Sequence, residues 1–265
     1  MNNYVMTLGW NFVSETEKAV KLLYQLNNKN DFKHLLVDLG FPLERDELPD
    51  NIEQSINNNT EKLKDLALKY GSEYVKFNNI GVSQNWSQVY DYLNINSGDV
   101  LICADPDEHP KNKGWVKAIG DVLRLRPEYG WISLTMPEHF SVLNGDNIIE
   151  KYAGDYRIWE IKGFLNWAQG GFSGQLLNKM GGVPYLESHP IYGHIETASL
   201  EYMKNLGYTW CMLPDYVVEH TDFEKGYKWT SRLLREWKNF IIFDIDKFGQ
   251  ISLQDFLIKK KNGEI

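Results

Sequence analysis

The stretch ICADPDEHP, residues 102–110, gathers Asp105, Asp107 and Glu108 directly behind an apolar run. VLICA at 100–104 reads as a buried strand, and Pro106 keeps Asp105 out of the α region, so the backbone runs on extended past the strand end. Asp105 and Asp107, two residues apart, then project to the same side. Carboxylates placed that way repel each other unless a cation or a donor-rich ligand stands between them, and a hard divalent ion with oxygen ligands is the natural partner. The competing reading is structural, with Asp105 capping the next helix and Glu108 a solvated bystander.

The surrounding pattern places this motif. Residues 4–8 form a short apolar strand; Ser14 and Glu17 have capping-box spacing, ahead of a helix carrying Ala19, Val20, Leu22, Leu23 and Leu26. HLLVDLG at 34–40 is a second strand, a helical pattern follows at Leu63, Leu66 and Ala67, and EYVKF at 73–77 is a third strand. After the turn NNIGVS a helix is expected over 85–93, and NSGD leads into VLICA. Such alternation predicts an α/β fold whose mainly parallel sheet is flanked by helices. Ligands bind such sheets at the carboxyl ends of their strands, which puts 9–11, 38–40, 78–81 and 105–107 along one crevice. Further on, helices are expected over GWVKAIGDVLRL, from Gly174 and over 196–205, with strands at WISLTM, YTWCML and YVVEH. YRIWEIKGF reads as irregular or antiparallel structure. A helical C-terminal extension carries an apolar stripe at Trp229, Leu233, Leu234, Trp237, Phe240 and Ile241, which could serve a homodimer.

Composition narrows the partners. The 265 residues hold 28 basic and 36 acidic side chains, a formal charge of −8 that disfavours tracking a phosphate backbone, so no nucleic-acid partner is expected. Cys103 and Cys211 each lie in an apolar run and read as buried small hydrophobes. No window reaches the ~18 apolar residues of a membrane span, and MNNYVMTLGW lacks a positive start, so the expectation is a cytoplasmic protein.

The ordered set LGWN, VDLG, NNIGVSQN and ADPD, continued by FSGQLLNKMGGVP at 172–184 and GHIETASLEYMKNLGYTWCMLPDYVVEH at 193–220, resembles the inverting GT-A glycosyltransferases of family 2. The resemblance covers roughly 4–220. It implies a GT-A domain over 1–222, with a nucleotide-binding half at 1–110 and an acceptor half at 111–222, followed by a helical extension at 223–265. It implies transfer of a sugar from a nucleotide-diphosphate donor to a carbohydrate, lipid-linked or protein hydroxyl, with a divalent ion, Mn²⁺ or Mg²⁺. Leu8, Gly9, Trp10, Asn11 and Asp38 would line the base and ribose pocket, with Asp38 accepting from a base N–H. Asn79, Gly81 and Asn85 would lie beneath the nucleotide. Asp105 would face the ribose or the ion, and Asp107 and His220 would ligate it. The family's base is the Asp of an E-D pair; here the pair is Glu196–Thr197, which makes Glu196 the candidate base one position early. The alternative is a non-catalytic carbohydrate- or calcium-binding module on the same scaffold. A nucleotidyltransferase is disfavoured by the lack of a G-x-G-x-R opening.

Two further features call for ligands. The segment 139–172 holds His139, Phe140, Tyr152, Tyr156, Trp159, Phe164, Trp167 and Phe172, rings on which sugar C–H faces stack; Trp167, Trp159 and Gly171 are the acceptor-side candidates. FDIDKFGQISLQDF at 243–256 resembles an EF-hand loop, with Asp244, Asp246, Gly249, Ile251, Ser252 and Asp255 at its first, third, sixth, eighth, ninth and twelfth positions. Phe248 replaces a ligand at the fifth position, so a helix–turn–helix with Phe248 packed inward is the competing reading.

Overall fold

The computed structural model describes residues 1–10, 12–43, 47–137, 148–162, 169–184, 195–220, 233, 236–237, 240 and 251–265, with backbone alone at 195 and 196. The chain opens with strand β1 (Asn3–Gly9), helix α1 (Val13–Leu26), β2 (Lys33–Asp38), α2 (Ile52–Tyr70), β3 (Glu73–Lys76), α3 (Val82–Leu93) and β4 (Val100–Cys103). Then come β5 (Glu108–Pro110), α4 (Trp115–Leu125), β6 (Tyr129–Thr135), β7 (Ile148–Ala153), β8 (Tyr156–Ile161), β9 (Gly170–Ser173), α5 (Gly174–Met180), α6 (Ile195–Asn205), β10 (Thr209–His220) and α7 (Leu253–Lys261).

The strands join in the order β3-β2-β1-β4-β9-β6-β10-β8-β7, with β5 paired to β10 off this path. The N-terminal strands β3, β2, β1 and β4 run parallel, as the βαβ alternation requires. The second half departs from the expected mainly parallel sheet. β9 runs antiparallel between β4 and β6, β10 runs parallel to β6, and β8 runs antiparallel to both β10 and β7, so the sheet is mixed. One of these reversals is local: β7 and β8 form a tight hairpin closed by Gly154 at φ 57°, and hairpins can only be antiparallel.

Both sheet faces are covered. Val5, Ile102 and Ile132 meet Trp115, Val116 and Ile119 of α4 on one face, and Leu36 meets Val20 of α1 and Leu63 of α2 on the same side. On the other face Met6, Leu101 and Cys103 pack on Trp86 and Val89 of α3 and on Leu176 and Leu177 of α5. Trp131 and Phe172, centroids 4.7 Å apart, centre that layer with Trp86. Phe172 therefore belongs to the core and not to an acceptor platform.

Some local expectations change. α1 begins at Val13 with Phe12 as its cap and no side-chain capping bond, so the Ser14–Glu17 box does not form. Phe12 instead meets Phe41 edge to face at 5.8 Å, fixing the chain's entry into the helix by apolar contact. YTWCML and YVVEH are one strand, β10, interrupted by an irregularity. In the C-terminal extension, Leu233, Trp237 and Phe240 are buried with Leu253, Phe256 and Leu257 of α7 against Phe41, Leu43, Ile52 and Ile56. These three stripe residues are covered by their own chain and present no surface for a dimer; Trp229, Leu234 and Ile241 lie outside the described residues. Among the described residues no helix is long and apolar enough to cross a membrane.

Candidate functional site

The carboxyl ends of β1, β2 and β4 deliver Trp10, Asp38 and Asp105 to one edge of the sheet. What brings the C-terminal part of the domain to that edge is the irregularity in β10. Leu213 pairs with Leu134 of β6, but the next partner of β6, Thr135, pairs with Val217, so residues 214–216 loop out of the ladder. Pro214 has no N–H to continue it. Past this bulge, β10 changes partner and pairs antiparallel with β5, placing His220 opposite Glu108.

The result is a cluster in which Asp107 and Glu108 are buried and Asp105 and His220 are half-buried. His220 Nε2 lies 3.5 Å from Asp107 Oδ2, and Trp10 Nε1 donates to Asp105 Oδ1 at 3.0 Å. Asp107 and Glu108 are 7% and 6% exposed. Burial, then the Asp107 charge and a hydrogen bond with Asp107, push the Asp105 carboxyl well above the usual carboxylate range. Glu108 is raised in the same way by burial and by Asp105 and Asp107, while the backbone N–H of Gln169 bonds to it and opposes the rise. Burial and the same three carboxylates raise the Cys103 thiol, which leaves it an inert core group. Three carboxyl groups thus crowd one imidazole, and burial with their mutual repulsion favours the protonated forms of Asp105 and Glu108.

Glu108 is thus no solvated bystander. The ladder between β5 and β10 turns it inward, and its Oε2 is buried without a hydrogen-bond partner. Sequence reasoning missed it because nothing local to ADPDEHP reveals that a distant strand will cover it.

Other candidates fall into three groups. Trp10, Asp105, Asp107 and His220 come together. Asp38 is at the crevice but is 1% exposed: its Oδ1 accepts from the Gly40 amide at 2.8 Å, and its Oδ2 from Thr60 Oγ1 at 2.6 Å and Tyr74 Oη at 2.8 Å. These bonds tie it to α2, β3 and the start of the β2–α2 loop. Leu8 points into the core, and Gly9 permits close passage of the neighbouring strand, since a Cβ there would meet Val37 O at 3.0 Å. Asn85 is fully buried and ties the Asn78 carbonyl and Gln88 through its Nδ2 at 2.9 Å each, while Gly81, at φ 118°, starts α3 and donates to Asn79 Oδ1 at 3.4 Å. These residues shape the crevice floor.

On the acceptor side, Gly171 sits inside the sheet between β4 and β6, where a Cβ would meet Ile102 Cγ1 at 2.9 Å, so it offers no binding surface. Trp159, on β8, is partly open and donates to Glu150 Oε2 at 3.3 Å. Asn11, His139, Phe140, Phe164 and Trp167 lie outside the described residues, as does the Glu196 side chain, whose backbone falls in the first turn of α6. In the acidic loop, Asp244, Asp246, Phe248 and Gly249 are likewise outside. Ser252 and Asp255 form a reciprocal cap at the start of α7, with Asp255 N to Ser252 Oγ at 3.1 Å and Ser252 Oγ to Asp255 Oδ2 at 2.7 Å.

Among the described residues no three His, Cys, Asp or Glu side chains already face a common point for a metal. The chemistry of the cluster still fits a divalent ion: two touching carboxyl groups whose mutual repulsion a cation would relieve, and an adjacent imidazole.

No protein-family model and no curated protein matches the chain. Among solved structures it is similar to the crystal structure of GalNAc-T7 with UDP, GalNAc and Mn²⁺, with a TM-score of 0.58 and 11% identity over 83% of this chain and 44% of that one. The chain spans less than half the length of that relative. Likeness at this identity carries the fold alone, a mixed α/β fold like that of a GT-A glycosyltransferase. It does not single out family 2 and does not support the EF-hand resemblance.

Proposed function

We propose that this protein is a glycosyltransferase that moves a sugar from a nucleotide-diphosphate donor to an acceptor hydroxyl with inversion. The observation that carries the reading is the Asp105–Asp107–His220 cluster at the carboxyl edge of the sheet, in a fold similar to that of a UDP- and Mn²⁺-bound enzyme. Asp107 and His220 would hold a divalent ion, with Asp105 beside it. When bound, the ion neutralises charge developing on the departing diphosphate. Trp10 orients Asp105 through its indole N–H and offers its ring face to the base or ribose. Asp38 keeps the β2–α2 loop open beside that pocket. Glu196 takes the proton from the acceptor hydroxyl as that oxygen attacks the anomeric carbon. Inversion follows from a single in-line displacement.

Titration calorimetry with UDP-, GDP- and dTDP-sugars in the presence of Mn²⁺ tests the reading. One donor class should bind, nucleoside diphosphate should be released slowly without acceptor, and Asp107→Ala should reduce that release at least about a hundredfold. No binding by any donor, or full release by Asp107→Ala, refutes it. Donor binding without release, with or without acceptors, would instead favour the non-catalytic module.

A further inference from the structure

A second recess lies away from the carboxylate cluster, where the bulge of β10 meets the β5–α4 connection and the β7–β8 turn. It is an open recess of about 430 Å³, within the size range of small-ligand sites. Its lining includes Tyr156 and Tyr216, both half-buried and so partly open to a ligand. Each packs against the core cluster under α4, and the Tyr156 hydroxyl donates to Asp121 Oδ2 at 2.9 Å. Asn112 is fixed too, because its Oδ1 accepts from the Val217 amide at 2.7 Å, which leaves its Nδ2 to donate.

The charges sort the ligand. Arg157 is paired with Asp215, its Nε donating to Oδ2 at 3.3 Å, so that pair is already neutralised. Lys113 and Asp155 are exposed on different loops of the same recess, and among the described residues neither has an ion-pair partner. Two cations and two anions leave the lining neutral, which disfavours a phosphate or a nucleotide diphosphate. What remains is a pair of fixed aromatic rings, an amide donor, an ammonium donor and a carboxylate acceptor. This combination matches the two-sided chemistry of a sugar ring, with apolar C–H faces and a rim of hydroxyls.

We infer that this recess is a second saccharide-binding site, taking a neutral oligosaccharide through ring stacking on Tyr156 and Tyr216 and hydroxyl bonds to Asn112, Lys113 and Asp155. Its position gives it a use. Tyr216 is four residues from His220 on the same strand, a span of roughly 13 Å at ~3.3 Å per residue. A glycan held in the recess lies close enough for the site to retain an acceptor chain between turnovers. That use rests on the transferase reading; the binding itself does not.

The test is titration of the whole chain with chitotetraose, maltotetraose and cellotetraose, by calorimetry and saturation-transfer NMR, in parallel with donor titration in Mn²⁺. At least one tetrasaccharide should bind the wild type, and Tyr216→Ala and the surface change Asp155→Ala should each weaken it at least tenfold without altering donor affinity. If none binds at 10 mM, or if both variants bind as the wild type does, the inference is overturned. Saccharide binding that is lost in the variants, in a protein that binds no donor, would uphold this site and refute the transferase reading. Donor binding with no saccharide binding would do the reverse.

Discussion

Replacing Asp38 distinguishes a residue that reads the nucleotide from one that builds the loop beside it. Its carboxylate is 1% exposed and accepts from Gly40, Thr60 and Tyr74, with Lys76 Nζ 3.8 Å away. Hydrogen bonds to a charged acceptor contribute about 1.5–3 kcal/mol each, and breaking a buried charged network by deleting one partner costs about 3–5 kcal/mol. Asp38→Ala should therefore destabilise the fold by roughly 3–5 kcal/mol, because Thr60 is itself buried and its hydroxyl loses its acceptor. At about 2 °C per kcal/mol for a chain of this size, the melting temperature falls by roughly 6–10 °C. Asp38→Asn keeps the shape but surrenders one oxygen, and should lose roughly half as much. Circular dichroism melts of wild type and both variants, with donor titrations below the lowest melting point, provide the readout. If Asp38→Asn melts at the wild-type temperature yet binds no donor, the carboxylate is spent on the ligand and the loop-building argument is wrong.

Two more outcomes follow from buried groups remote from the crevice. His34 is buried between Thr7 Oγ1 at 3.0 Å and Ser72 Oγ at 2.7 Å, and burial lowers its pKa from 6.5 to about 3. The fold keeps it neutral while the unfolded chain protonates it below pH 6.5, so its stabilisation is complete above pH 6.5 and is lost as pH falls toward 3. Between pH 7 and pH 5 the wild type should lose about 2 kcal/mol more than His34→Gln in urea unfolding, and equal losses would refute the assignment. Trp237 is 8% exposed, and its Nε1 donates to Ile251 O at 2.9 Å within the cluster that seats the C-terminal extension. Trp237→Ala should cost about 3–5 kcal/mol with no change in sedimenting mass; a halved mass at unchanged stability would make that stripe a dimer seam.

Much of the N-terminal part of the sheet was legible in the chain itself. The βαβ alternation is written in short apolar runs separated by helical periodicity, and both signals are local, so strands β1 to β4 and helices α2 to α4 appear where the pattern puts them. Asp105 and Asp107 were legible for the same reason, since Pro106 and the two-residue spacing act within a few bonds. The later strands were harder, because they pair over long sequence distances: β9, reached late, is inserted between β4 and β6, and no short window shows the antiparallel sense of that insertion.

By itself, then, the sequence determined an alternating α/β chain with a carboxylate pair delivered at a strand end, because side-chain period, proline and spacing act on neighbours along the backbone. Only the tertiary structure decided which groups share the site. The bulge at 214–216 swings His220 onto β5 and turns Glu108 inward, while Thr60 of α2 and Tyr74 of β3 both bond to Asp38 Oδ2. Those outcomes depend on burial and on partners dozens of residues away, and a hydrogen bond across such a distance has no signature in the residues that flank either end.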